Sequence, residues 1–451
     1  MIVMKFGGSS LASGEAVRRV ASIVAERLGR KPVVVVSAMG KTTDRLLEAA
    51  DHAAAGRRQE ALRLVEELKR FHLEEGHPCG GRTEELFAEL AELLRGLSVI
   101  GELTPRTIDA VSSYGERLSS MIVAEKFRAA GIDAAHADSR ELVVTDSRHT
   151  SAAPVFEQTY ARIAARIPPL LENHDAVVMG GFIARDENGV TTTLGRGGSD
   201  FTASIVGAAL DAEEIQIWTD VDGMLTSDPR LVEGVHRVKV ISFDEAAELA
   251  YFGARVLHPA TLIPAIEKNI PVRILNSYRP QAEGTRIVAE RVPCRNIVKA
   301  ISSKRGITIV NIRSTRMLGA HGFLRRIFEV FDRHQTSVDM VSTSEVSVSA
   351  TIDDARALEA IKADLEEFST VEVESDQAIV CVVGDNIRYT PGIAGRLFQA
   401  LNGINIRMIS QGASLLNMGF VVAGADVKRA LEALHEEFFS DLDPAVFDRL
   451  R

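Results

Sequence analysis

Two short apolar runs flanking one amphipathic stretch narrow the fold more than anything else in the chain. Residues 2–6 and 32–37, the latter within KPVVVVSA, are β-branched and bounded by Gly, Ser or Pro, so they read as buried strands. Between them Ala16 to Leu28 carries helical spacing, which completes a β-α-β unit and predicts a parallel sheet. The first strand ends unusually, in MIVMKFGGSS: one lysine, Lys5, then Phe6, Gly7, Gly8, Ser9 and Ser10. Glycines let main-chain N–H groups approach an anion, and a following helix points its positive end there. The competing reading is a tight strand-to-helix turn with a solvated lysine. The stretch alone does not choose between them.

From about Asp44 to Ala130 the pattern is helical. Leu64, Leu68 and Phe71, then Leu86, Leu90 and Leu93, repeat at i, i+4, i+7 and mark core-facing stripes, and HPCGGR (77–82) breaks the run into a hairpin. Strands are expected at 133–137, 176–179, 190–194, 214–218 and 270–275. A breaker-rich segment, SYRPQAEGTRIVAERVPCRN (277–296), marks the main boundary. Beyond it two segments, starting at Gly322 and Gly392, resemble each other at a spacing of about seventy residues, as an internal repeat does. Each reads as glycine turn, amphipathic helix, strand, polar turn, strand, so paired small α+β modules are expected.

Formal net charge is -10, from 52 Lys and Arg against 62 Asp and Glu, which argues against a general nucleic-acid or anionic-membrane binder. Cys79, Cys294 and Cys381 are scattered and odd in number, no disulfide framework, so a reducing, cytoplasmic setting is expected. No apolar run reaches membrane-helix length, and the N-terminus reads without a signal peptide.

SAMGKTTD (37–44) imitates the tail of a phosphate-binding loop, but Val35 stands where the pattern requires glycine. Ser37, Thr42 and Thr43 either line a polar pocket or cap the next helix. The most specific stretch is GGFIARDENGVTTTLGRGGSDFTAS (180–204), in which Gly195-Arg196-Gly197-Gly198-Ser199-Asp200 joins a strand to a helix. Arg196 offers a planar fork for a carboxylate or phosphate, and an arginine inside a three-glycine loop is hard to explain as structure alone. Ser199 or Asp200 is also readable as a helix cap. In IWTDVDGMLTSDPR (217–230) a strand ends in Thr219-Asp220, where ligands of open α/β sheets bind. An acidic turn is the plainer reading. Glu116, a lone acid on a helix in SYGERLSS, is of a kind usually found at the surface. His258 has no second histidine at ligand spacing, so no metal site is assigned.

KFGGSS, SYGERLSS, TTTLGRGGSD, WTDVDGM, FGARVLHPA and TSEVSVS, in this order, resemble the aspartate kinase family over essentially the whole chain. The resemblance implies an α/β amino-acid-kinase fold, a largely parallel sheet between helices, over residues 1–285. Two α+β ferredoxin-like ACT domains follow, at 297–375 and 376–445, nested so that the strand near 297–302 joins the second. It implies phosphorylation of the side-chain carboxylate of L-aspartate by ATP, the first step toward lysine, threonine and methionine. Mg²⁺ is held mainly by ATP phosphates.

By the same resemblance Lys5 and Asp200 are catalytic. Lys5, Gly7, Gly8, Ser9, Thr219, Asp220, Arg230 and Arg255 contact ATP, and Ser37, Thr43, Glu116, Phe182, Arg196, Gly197 and Ser199 bind aspartate. Met317, Ser337, Val338, Asp339, Ser344 and Glu345 match an amino-acid effector site, for lysine or alternatively threonine. A homodimer or larger oligomer through the ACT strands is implied too. Leu225 and Arg255 depart from a tyrosine and a lysine of some relatives, and Gly319 and Ala320 from larger polar residues. The rival readings are a kinase for another acid and an amino-acid sensor with an inactive kinase unit.

Overall fold

The computed structural model describes residues 1–76, 81–252, 259–314 and 321–449. Arg255, His258, Met317, Gly319, Ala320, Cys79 and the break at 77–80 lie outside them. By its internal contacts the chain forms two compact units. The first comprises Met1–Met224, Lys239–Phe243 and Val256–Glu290; the second comprises Leu225–Val238, Asp244–Arg255 and Arg291–Arg451. Two stretches of the region expected to be catalytic, 225–238 and 244–255, therefore fold with the C-terminal repeats.

In chain order the strands begin with β1 (Ile2–Phe6), β2 (Pro32–Val36), β3 (Ala134–Ala137) and β4 (Val144–Thr145). Then come β5 (Ala176–Gly180), β6 (Ile183–Asp186), β7 (Thr191–Thr193) and β8 (Glu214–Thr219). Next is β9 (His236–Val238), in the second unit, while β10 (Val240–Ser242), β11 (Val272–Asn276) and β12 (Thr285–Val288) return to the first. Eight strands form one sheet in the order β10-β12-β11-β8-β1-β2-β5-β3, parallel at every pair except β11 with β12. Val33 to Val36 are completely buried, as four consecutive valines require when both sheet faces are covered. The helix Gly14–Ala25 starts where Ser13 Oγ accepts the Ala16 N–H, and it lays Val17, Val20, Ala21 and Val24 on the sheet.

From β1 the sheet extends to β2 on one side and β8 on the other, so β1 occupies the switch point where such sheets bind ligands. In register Phe6 stands opposite Val36 and Trp218, and Val36 opposite Gly180. The segments KFGGSS, SAMGKTT, GGF and WTD consequently leave the same edge. The expected strand at 190–194 forms as β7, but in a separate small sheet with β6 and β4. Helices Thr42–Ala54, Arg58–Glu75 and Arg82–Ile100 pack through Leu46, Leu64, Leu68, Leu90 and Leu94, with Leu93 at the margin.

The second unit has one six-stranded antiparallel sheet. Its strands are β13 (Val298–Arg313), β14 (Val341–Thr343), β15 (Ser347–Ile352), β16 (Thr370–Gly384), β17 (Ile406–Gln411) and β18 (Asn417–Ala423), ordered β14-β15-β13-β16-β18-β17. The helices Phe323–Arg333 and Ile393–Ala400 each follow a left-handed glycine, Gly322 and Gly392. β15 pairs with the C-terminal half of β13, and Val298 to Arg305 pair with Ala378 to Gly384, the half of β16 that β18 also borders. The expected 375/376 division falls inside β16. A short strand β19 (Phe447–Arg449) pairs with β9. No helix among the described residues is long and apolar enough to cross a membrane.

Leu90 is completely buried in the helical cluster. Leu90→Ala is expected to cost about 2–5 kcal/mol of first-unit stability. Thermal denaturation should show it as a midpoint several degrees lower.

Candidate active site

Lys5 is the one polar residue of β1, and its side chain is 12% exposed. A cation so sheltered needs a partner. Asp200 supplies it, with Nζ to Oδ1 at 2.6 Å. Gly7 donates its N–H to Trp218 O at 3.3 Å, tying the turn after β1 to the end of β8. A Cβ on Gly8 would stand 2.9 Å from Gly40 O and 3.0 Å from Ala38 O, so only glycine lets this turn lie against SAMGKTT. Past it, Tyr278 Oη donates to Ser9 O (3.0 Å), and the Ser10 and Ser277 hydroxyls share a hydrogen bond (2.8 Å).

Glu116 sits in the first turn of the helix Tyr114–Ala129 and is buried. Its Oε1 accepts the Ala38 N–H at 3.1 Å, while Oε2 has no hydrogen-bond partner among the described residues. Burial pushes its pKa up to about 8, against smaller downward pulls from the main-chain hydrogen bonds and the Lys5 charge. A buried carboxylate with one free oxygen is an incomplete site for a cation.

The helix Gly198–Ala209 begins at Gly197, which takes φ 73° at the cap position. Neither Ser199 nor Asp200 is the cap; both sit in the first turn. Gly181 admits the close approach of this helix, since a Cβ there would lie 2.6 Å from Ser199 Cβ. Phe182 is held at φ 63°, a conformation costing a residue with Cβ about 1–3 kcal/mol. Its N–H donates to Thr202 Oγ1 and its carbonyl accepts from Leu194 N–H, which fix it.

Lys5, Ser37, Thr43, Glu116, Phe182, Gly197, Ser199 and Asp200, all selected from sequence, line one cavity of about 290 Å³ with Gly195 and Gly198. Arg196 does not line it. The residue is exposed and pairs with no carboxylate among the described residues. Thr219 and Asp220 lie at the end of β8, with Thr219 Oγ1 donating to Asp220 Oδ1 at 3.1 Å. Sequence reasoning missed Asp222, which is buried, accepts from Asn276 Nδ2 at 2.7 Å and pairs with Arg279. It also missed the Ala38 amide, Ser277 and Tyr278, whose roles come from long-range packing and leave no local signal. Leu225 and Arg230 fall in the second unit, where the Arg230 guanidinium grips Asp228 at 3.0 and 2.7 Å.

Among the effector candidates, Ser337, Val338 and Asp339 precede β14, whereas Ser344 and Glu345 follow it. About 10 Å of strand separates the two groups. Asp339 Oδ1 accepts from Lys304 Nζ (2.8 Å) and Tyr251 Oη (3.1 Å); Oδ2 has no hydrogen-bond partner among the described residues.

A model of the amino acid kinase family matches residues 1–276, and an ACT domain model matches 310–368 and 380–438. The chain is 40% identical, over 98% of its length and 80% of the relative's, to Aspartokinase 1, chloroplastic, of Arabidopsis thaliana. It is similar to the crystal structure of E. coli aspartokinase III in complex with aspartate and ADP (R-state), at 34% identity and TM-score 0.85, covering 98% of this chain and 100% of that one. It is likewise similar to that protein in complex with lysine and aspartate (T-state), at 35% identity, TM-score 0.84 and the same coverage.

The raised pKa of Glu116 has a stability consequence. Between the ordinary carboxylate value and about 8 the folded protein holds a proton that the unfolded chain has released. Stability without ligand should therefore fall as pH rises through that interval. Thermal melts from pH 6 to 9 should show the fall, and Glu116→Gln should flatten it.

Proposed function

The chain belongs to the aspartokinase family and is an ATP-dependent kinase of L-aspartate with ACT regulatory domains; from that premise we propose how its own residues divide the work. The observation that carries the reading is the Lys5–Asp200 pair opening into the same cavity as the buried, half-satisfied carboxylate of Glu116.

The nucleophile is the side-chain carboxylate of aspartate. Its reference pKa is about 3.9, so it arrives ionised and needs no general base. One of its oxygens forms a bond to the γ-phosphorus as the bond from that phosphorus to the β–γ bridging oxygen breaks, and the electron pair leaves on ADP. What the protein must supply is alignment and positive charge. Lys5 and the Gly8 amide face the β- and γ-phosphates, on a turn that the Gly7 N–H ties to β8. Asp200 holds the ammonium in place, and Thr219 and Asp220 contact the nucleotide from the next strand. Arg196 closes on the α-carboxylate of aspartate from the rim. Glu116 takes the α-ammonium, with Ser37, Thr43, Phe182 and Ser199 shaping the walls. Mg²⁺ would be held mainly by the ATP phosphates, the usual mode for this ion, where it would offset phosphate charge alongside Lys5.

For regulation we propose feedback inhibition by lysine at Ser337, Val338, Asp339, Ser344 and Glu345, with Val298–Arg305 completing the second, nested module. The two groups of candidates lie at opposite ends of the short strand β14, and we propose that this region also forms a homodimer contact through the ACT strands.

Acyl-phosphate trapping with hydroxylamine tests the assignment. Turnover is expected with L-aspartate, and Lys5→Ala should lower kcat by about 10²-fold or more. An unchanged kcat would remove Lys5 from the chemistry. Lysine should suppress wild-type turnover, and Asp339→Ala should raise the half-inhibiting concentration by about tenfold or more. Suppression by threonine alone would replace the effector. If Glu116 must be ionised to hold the ammonium, the KM for aspartate should fall as pH rises from 6 toward 8, and Glu116→Gln should lose that slope.

A further inference from the structure

We propose that Asp109 is a positioning residue for the aspartate-binding loop, setting the place of Arg196 without touching substrate. The inference rests on the reading of Arg196 as a substrate contact.

Asp109 lies in the helix Pro105–Ser112 and is completely buried. A buried carboxylate survives only if its oxygens are filled, and these are. Oδ1 accepts from Thr193 Oγ1 at 2.6 Å and from Thr150 N–H at 3.0 Å. Oδ2 lies 2.7 Å from His149 Nδ1 and 3.1 Å from Thr150 N. Charge-assisted bonds of this kind are the strong ones.

Each partner leads toward the site. Thr193 ends β7, two residues before Gly195. Ala152 N–H donates to Thr193 O at 2.9 Å, so the 149–152 segment is strapped to β7. Thr150 is held at φ 70°, strained for a β-branched residue, and its N–H is the group Asp109 grips. The carbonyl of the same Thr150 forms the floor under Gly195, where a Cβ would come within 3.0 Å of it. Gly195 itself takes φ 75°, and its carbonyl accepts the Gly198 N–H that closes the loop around Arg196. One carboxylate thus fixes the floor of the Arg196 loop. It makes no contact with Lys5 or the turn after β1, which face the phosphates.

This split is the test. Asp109→Ala should raise the KM for aspartate by about tenfold or more while the KM for ATP stays within about twofold. Asp109→Asn keeps one acceptor oxygen for Thr193 and Thr150 and should recover part of the loss. Thr193→Val removes one donor without changing shape and should raise the aspartate KM alone by a smaller factor. It decides the matter if Asp109→Ala does not fold. Arg196→Ala serves as the control. If it leaves the aspartate KM unchanged, the role of Arg196 fails and this inference with it. If Arg196→Ala raises that KM but Asp109→Asn and Thr193→Val leave it alone, or shift both KM values equally, Asp109 is a structural residue and the inference is overturned.

Discussion

A lysine near the floor of a parallel sheet, met by one aspartate, is the constraint around which the catalytic unit is arranged. Lys5 and Asp200 are 12% and 13% exposed, so each would be a costly charge alone. They come from chain segments almost two hundred residues apart, on β1 and on the helix Gly198–Ala209. For the pair to form, that helix must press its first turn against the strand edge. Gly181 permits the approach and Gly197 permits the turn that starts it. The glycine loops of this protein are thus conditions for bringing one cation and one anion together at the switch point of the sheet.

Around this pair the charges are deliberately unequal in their completeness. Lys5 has its counter-ion, whereas one carboxyl oxygen of Glu116 has no hydrogen-bond partner among the described residues. In the proposed reading the first arrangement keeps a positive group ready for phosphate, and the second leaves a place for the ammonium of the substrate.

Much of this was legible in the sequence because it is local. Four valines in a row announce a strand covered on both faces, and GRGGSD announces a glycine-built loop before a helix. The cavity gathers eight residues named from such motifs. What was not legible depends on distant partners. Glu116 looks like a surface acid until the strand edges bury it, and Asp109 is an ordinary helix residue until Thr150 and Thr193 arrive. Arg196 was placed in the right loop, yet its side chain is exposed, since nothing in the sequence fixes the rotamer of a long side chain at a rim. Arg230, whose motif is continuous with WTDVDG, falls in the second unit, which the chain enters at Leu225.

The C-terminal repeats carry a mechanical consequence of their strand sharing. β13 and β16 are 16 and 15 residues long, and each runs through both repeats. There is no linker to cut between the modules, since a break at their midpoint severs a ladder. The two modules are thus joined by continuous backbone, and the β13–β16 ladder shifts register between Arg305 and Ile309, where their halves meet. Any displacement at the turn after β14 has to cross the β15–β13 and β16–β18 ladders as well as the shared strands to reach β18.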